Sequence, residues 1–206
     1  MDIFDRYPQL KVCENDIDRA LSKLIECYEG GGKVLVCGNG GSCADSDHIV
    51  GELMKGFLKK RPISAENKQK MLKNRPDLPD DLLDGLQGAL PAISLCSLNA
   101  LNTAFSNDVD PDMIYAQGVY GLGRKNDILI CISTSGNAKN VGLAAYVARA
   151  LGMTVVSLTG RDGGKLREIS DISIIVPENE TYKIQEMHLP VYHYLCAEIE
   201  EHFFKK

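Results

Sequence analysis

His48 and Glu52 are four residues apart, which on a helix puts them on one face, a turn from each other. A carboxylate can take a proton from carbon, and an imidazole can pass a proton or hold a metal, so the pair offers one wall of a site for base chemistry. Just upstream, the apolar run Val34-Leu35-Val36-Cys37 ends in Gly38-Asn39-Gly40-Gly41-Ser42. Glycines there allow positive φ and close approach of the backbone to a ligand, and Ser42 is suited to cap the helix that follows. Strand, glycine loop and helix N-terminus together form an anion site, because N–H groups and the helix dipole point at whatever sits above them.

A second loop has the same chemistry. Ser133-Thr134-Ser135-Gly136-Asn137 follows the apolar run from Asp127 to Ile132 and offers three hydroxyls beside its N–H groups. Either loop alone reads equally well as ordinary turn and cap residues. Both at one sheet edge favour a monophosphate. Nucleotide triphosphates are excluded by the lack of a lysine in a Gly-x-x-x-x-Gly-Lys-Ser/Thr pattern, and the dinucleotide spacing Gly-x-Gly-x-x-Gly fails at Cys43.

The elements that must position these loops follow from periodicity. Tyr7 to Tyr28 has apolar residues at helical spacing and a stop at Gly30-Gly31-Gly32, so it reads as one amphipathic helix. Lys59 to Pro91 is charged and proline-containing, and reads as an inserted excursion at about 59–90. Short helices are expected there at Lys68 to Lys73 and Asp80 to Leu86, with no sheet strand. Strands are expected at Val34 to Cys37, Pro91 to Leu95, Asp127 to Ile132, Thr154 to Leu158 and Ile172 to Val176. Between them fall an Asn-rich helix to Phe105, a polar break at Ser106-Asn107-Asp108, and helices at Pro111 to Leu122 and Val141 to Leu151; Thr181 to Phe204 closes the chain. Continuous apolar strands alternating with helices imply an α/β fold, a three-layer doubly wound domain on a five-stranded parallel sheet of flavodoxin-like kind, spanning 1–206.

Bulk properties exclude several classes. A chain of 206 residues, 44% of them hydrophobic, is long enough for one domain with a full core. Its net charge of −5 argues against nucleic acid as the main ligand. No apolar run approaches the ~20 residues of a membrane span and the N-terminus has no signal-peptide pattern, so the expected location is the cytoplasm. Seven cysteines, an odd number mostly inside apolar runs, read as reduced core residues.

Four ordered motifs carry a resemblance. Cys37-Gly-Asn-Gly-Gly-Ser42, Ile132-Ser-Thr-Ser-Gly-Asn137, Leu158-Thr-Gly-Arg-Asp-Gly-Gly164 and Ile184-Gln-Glu-Met-His188 resemble the sugar isomerase (SIS) domain of the phosphoheptose isomerase family. The similarity spans nearly the whole chain apart from the excursion. It implies a SIS fold and a homotetramer with active sites between subunits. It also implies a zinc ion held at His48, Glu52, Gln185 and His193. Two nitrogen and two oxygen donors suit zinc, although an amide oxygen is an uncommon ligand. On its own terms His193 reads as a core histidine, and it is the match at Gln185 that reverses this. His188 reads either as a substrate contact or as an interface residue.

The implied reaction is aldose–ketose isomerisation of D-sedoheptulose 7-phosphate to D-glycero-D-manno-heptose 7-phosphate through an enediol. Glu52 is the implied base and His193 the implied acid. The phosphate would rest on Gly40, Gly41, Ser42, Ser133, Thr134 and Ser135, with Asn39 and Asp108 on sugar hydroxyls and Gln185 beside the substrate. The chain departs from the family at Ala138, where a serine usually closes the second loop. It departs again at Lys55-Gly56-Phe57, where an arginine is usual. Lys55, Lys59, Lys60, Arg61 and Arg75 are the candidate replacements, against a reading of that charge run as a solvated face. Two other readings stand beside this one: an isomerase of a shorter sugar phosphate, and a non-catalytic SIS protein of the kind that binds phosphosugars or associates with the bacterial replication initiator.

Overall fold

The structure, a computed structural model, describes residues 3–205. The chain begins with α1 (Ile3–Arg6), a 3₁₀ turn over Pro8–Cys13 and α2 (Glu14–Glu29). β1 (Val34–Gly38) leads into α3 (Gly41–Met54), and the excursion carries α4 (Ala65–Asn74) and α5 (Asp80–Gly85). Then come β2 (Ala92–Ser94), α6 (Asn99–Asp108), α7 (Ile114–Leu122), β3 (Ile128–Ile132) and α8 (Lys139–Ala150). β4 (Thr154–Thr159), α9 (Gly164–Ile169), β5 (Ile172–Ile175) and α10 (Thr181–Phe203) complete it.

All five strands are parallel, in the order β2-β1-β3-β4-β5. Because successive residues of a strand face opposite sides, each strand feeds two cores. Val34, Val36, Ile128, Ile130 and Val156 pack under the terminal helices and α3, beside Leu10, Ile17, Leu24, Ile49 and Leu195. Leu35, Cys37, Leu129, Cys131 and Val155 pack under α7 and α8, beside Val119, Val141, Ala144 and Ala148. Continuous apolar strands are therefore what a sheet covered on both faces needs. The order 2-1-3-4-5 reverses direction between β1 and β3, and ligands of such sheets bind in the crevice beyond those strand ends.

Several expectations need correction. The segment from Tyr7 to Tyr28 is not one helix: Pro8 opens the 3₁₀ turn, where Leu10 and Cys13 are buried three apart, a spacing that the tighter turn puts on one side. Ser106, Asn107 and Asp108 stay inside α6, and the break comes at Val109 with φ −131° and ψ −80°. α9 was not expected; it starts behind Gly163, whose φ of 86° ends the preceding turn, so a glycine pair that reads as loop hides a short helix. In the terminal helices Ile17, Leu24, Ile184, Val191 and Leu195 are buried within the chain, whereas Tyr182 and Leu189 of α10 are exposed, as are Val109, Met113, Tyr120 and Tyr146 on the other face. Among the described residues no helix is long and apolar enough to cross a membrane.

The excursion contributes no strand to the sheet. It leaves after α3, forms an antiparallel bridge between Pro62 and Gln87, and returns through Gly88 N–H to Arg61 O (2.6 Å) and Leu90 N–H to Leu53 O (3.0 Å). Arg61 at its entry is only 1% exposed. Its Nε donates to Glu200 Oε1 of α10 (2.6 Å), Nη1 to Leu53 O (2.8 Å) and Nη2 to Glu52 O (3.1 Å). Those carbonyls close the last turn of α3, where a cation is favourable. Glu200 also accepts from the Phe57, Leu58 and Lys59 amides. Burial pushes the Glu200 carboxyl up, but the Phe57 and Leu58 amides and Arg61 outweigh it and hold it below its ordinary value. A buried pair satisfied this fully costs ~3–5 kcal/mol to break from one side.

His188 is wholly buried under β4, where Nε2–H donates to Thr159 O at 3.2 Å. It is therefore neither a substrate contact nor an interface residue. Burial, only partly offset by that hydrogen bond, lowers its pKa from 6.5 to about 4. Between those values the unfolded chain binds a proton that the folded one refuses. The stabilisation is complete above the unfolded pKa and is lost as pH falls towards the folded one. Roughly 2 kcal/mol should disappear between pH 7 and pH 5, at about 1.36 kcal/mol per pKa unit. Urea unfolding of the parent and His188→Gln at both pH values checks this: the variant should lose less stability, and equal losses would remove His188 from the account.

Candidate active site

The two phosphate-type loops meet at the switch point of the sheet, since Gly38 and Ile132 are paired in register at the ends of β1 and β3. In the first loop Gly40 has φ 57°, a conformation that favours glycine. It is also the N-cap of α3, so Ser42 is not the cap; it lies inside the first turn, buried against Gly38, where any Cβ would sit 2.7 Å from the Ser42 Cβ. In the second loop Gly136 (φ 65°) closes a turn onto Ser133 O, and a Cβ there would collide with Gly163 O. Ser135 Oγ accepts from Asn137 N–H (3.2 Å), which leaves its own proton to donate.

Asn39, Gly40, Gly41, Ser42, Ser133, Thr134 and Ser135 line one pocket, together with Ile132, Ala138, Thr181 and Gln185. All three hydroxyl residues of the second loop are thus brought to the glycine loop. Ala138 is the N-cap of α8 and offers no side-chain cap; the Val141 N–H is met instead by Asn140 Oδ1 (3.0 Å). Asn39 is tied into the wall by reciprocal amide bonds with Asn140 (2.8 and 2.9 Å) and accepts from Tyr115 Oη (3.3 Å). Gln185 packs over Gly41, where a Cβ would lie 2.4 Å from its Nε2. Asp108 is not in this lining; it is exposed at the end of α6, accepting from Asn107. A second cleft at the opposite edge of the sheet is lined by Arg19, Lys23, Thr154 and Asp171, but Arg19 pairs with Asp16 and Asp171 with Arg149.

Further along α3, three side chains converge. His48 Nε2 is 3.2 Å from Glu52 Oε1 and 3.4 Å from His193 Nε2, which reaches across from α10. Burial and the neighbouring His48 lower the His193 pKa below 6.5, with Glu52 opposing, so this ring is neutral at neutral pH. Lys55 Nζ lies 3.2 Å from Glu52 Oε2, and of the candidate cations it alone is placed beside these groups. Arg61 is buried in the fold, Lys59 pairs with Glu201 and Arg75 with Asp77.

The chemistry of this trio suits a divalent ion. Donors on a tetrahedral zinc at ~2.0–2.1 Å lie ~3.3 Å apart, which matches both the His48–His193 and His48–Glu52 separations. Gln185, over Gly41, is not drawn into the cluster. Among the described residues, no group of three or more His, Cys, Asp or Glu side chains is already arranged to hold a metal. Residues that the sequence did not single out also enter. Tyr192 and Asp45 contact or flank His48, and Asn140 and Tyr115 hold the first loop. Asp45 was findable, three residues before His48 on the same helical face; the other three meet the site only through tertiary packing.

Comparison with known proteins shows the family. A SIS-domain family profile matches residues 8–75 and 87–160. A phosphoheptose isomerase of Helicobacter pylori is 39% identical over 197 residues, covering 96% of this chain and 89% of the relative. One from Shewanella baltica is 38% identical over 191 residues, 91% of this chain and 84% of the relative. The solved phosphoheptose isomerase of Neisseria gonorrhoeae superposes with TM-score 0.77 at 31% identity, covering 95% of this chain and 91% of that one. That of Francisella tularensis gives 0.76 at 33%, covering 96% and 94%. The fold and the switch-point site define a SIS-domain protein, and within that class the chain belongs to the phosphoheptose isomerase family.

Ser135→Asp puts a carboxylate against the anion site, and calorimetric titration should show that sugar-phosphate binding is abolished while the fold is kept. Unchanged affinity would mean that the loop is only structural.

Proposed function

We propose that this chain interconverts D-sedoheptulose 7-phosphate and D-glycero-D-manno-heptose 7-phosphate. The observation that carries the reading is the convergence of His48, Glu52 and His193 along the helix that opens at the phosphate pocket. Ser42 and His48 are six residues apart, ~9 Å along α3 at ~1.5 Å per residue, so a sugar held by its phosphate lays its other end near the trio. Binding energy spent at the phosphate thereby orients the reacting carbons.

In this reading the Glu52 carboxylate takes the proton from the carbon next to the carbonyl and returns it to the neighbouring carbon. His193, neutral at the working pH, serves the oxygens as a hydrogen-bond donor and proton carrier. Lys55, beside Glu52, takes the place of the family's arginine as the nearby cation. Ser42, Ser133, Thr134 and Ser135 hold the phosphate with the N–H groups of Gly40 and Gly41. Asn39, Asp108 and Gln185 remain the proposed contacts to the sugar. Asp108 is remote from this pocket, so its part would be played in the site of another subunit.

His48, Glu52 and His193, with Gln185 after a side-chain rotation, would hold a zinc ion. When bound, it supplies Lewis-acid polarisation of the carbonyl. A homotetramer belongs to the same reading, supported by the exposed Val109, Met113, Tyr120 and Tyr146. A cytoplasmic place is supported by the seven cysteines, all of them unpaired thiols.

Two experiments test this. Glu52→Gln keeps the volume but cannot take the proton, so deuterium exchange from solvent into the sugar should fall ~10²-fold or more while sugar-phosphate binding persists, and His193→Asn should do the same. Near-parental rates in both variants would remove Glu52 and His193 from the chemistry. Native mass spectrometry of protein purified without chelator should show a tetramer of the 22.6 kDa chain carrying zinc. A fully active, metal-free monomer would remove both the ion and the shared sites.

A further inference from the structure

The Tyr192 hydroxyl lies between two side chains of α3, 3.2 Å from Asp45 Oδ1 and 3.0 Å from His48 Nδ1. Tyr192 itself is 2% exposed and comes from α10, next to His193. A phenol has one proton to give, and an ionised carboxylate can only accept. The Tyr192 proton is committed to Asp45, so the second bond must run from His48 Nδ1–H to the phenol oxygen. The neutral His48 ring then carries its lone pair on Nε2, the atom that faces Glu52 Oε1 and His193 Nε2.

We propose that Asp45 and Tyr192 are positioning residues that hold His48 in the Nδ1–H tautomer and aim its Nε2 lone pair at the point where Glu52 and His193 converge. Nε2 and a carboxylate oxygen, both acceptors, then stand in contact, an arrangement that calls for a cation or a shared proton between them. Asp45 Oδ2 is buried without a hydrogen-bond partner, so the bond from Tyr192 to Oδ1 orients the carboxylate. Packing does not need the hydroxyl. The Tyr192 ring meets His48 and His193 edge-on, with centroids 5.4 and 5.0 Å away, contacts that phenylalanine keeps.

The inference rests on His48 being a residue of the isomerase site, but its central readout needs no turnover. The full chain, labelled with ¹⁵N-histidine and assigned with His48→Gln, is examined by NMR at a pH where the ring is neutral. The parent should show the proton on Nδ1 of His48, and Tyr192→Phe should move population to the Nε2–H form. Asp45→Ala, which removes the acceptor and frees the Tyr192 proton to turn towards His48, should move it in the same direction and serves if the first variant does not fold. A parent with the proton on Nε2, or variants that keep the parental tautomer, would overturn the proposal. Turnover of sedoheptulose 7-phosphate by Tyr192→Phe should fall roughly ten-fold with KM little changed. Altered tautomers with unchanged turnover would deny Tyr192 a positioning role. Failure of the isomerase reading is distinguishable, because the Glu52→Gln comparison decides that separately.

Discussion

The buried pair between Arg61 and Glu200 holds together three parts of the chain that are far apart in sequence. One guanidinium closes the last turn of α3, neutralises a carboxylate on α10 and fixes the entry of the excursion. Glu52 and His193 stand on those same two helices, so the relative setting of the proposed reacting groups depends on a contact that touches neither of their side chains. Such a pair tolerates little loosening, since either charge left alone in the interior is costly. The ring of Phe204 over Arg61, 4.7 Å from its centroid, closes the pair from the C-terminal end of the chain.

The sheet does a different part of the positioning. Its reversal between β1 and β3 opens a crevice at which both loops can converge, and the parallel register sets their heights against each other. Glycines then permit contacts that side chains would block: Ser42 on Gly38, Gln185 over Gly41 and Gly163 against Gly136. The proposed phosphate site is thus built from backbone close to a rigid sheet, whereas the proposed reacting groups are side chains, Glu52 about three turns along α3 and His193 on α10.

Much of this was legible in the residues. The strands were readable because burial on both faces leaves unbroken apolar runs, and the helical spacing of His48 and Glu52 put them together without tertiary information. Resemblance supplied His193 and Gln185. What could not be read were contacts across elements. Arg61 looks like part of a solvated charge run, and only the return of α10 over it makes it a core residue. Nothing near Asn39 in the sequence shows that Asn140, 101 positions away, fixes its amide. Local boundaries failed where a proline or a glycine pair allowed two outcomes, at Pro8 and at Gly163-Gly164.

The neck of the excursion has an evolutionary consequence. The family match pauses over residues 76–86 and resumes at Gln87, the residue bridged to Pro62 and whose side chain accepts from Gly56 N–H at 2.7 Å. These unmatched residues lie just outside a ring that main-chain bonds close. Material beyond such a ring can lengthen, shorten or change composition without altering the path of α3, so this segment can diverge between lineages while the chemistry inside the ring stays fixed.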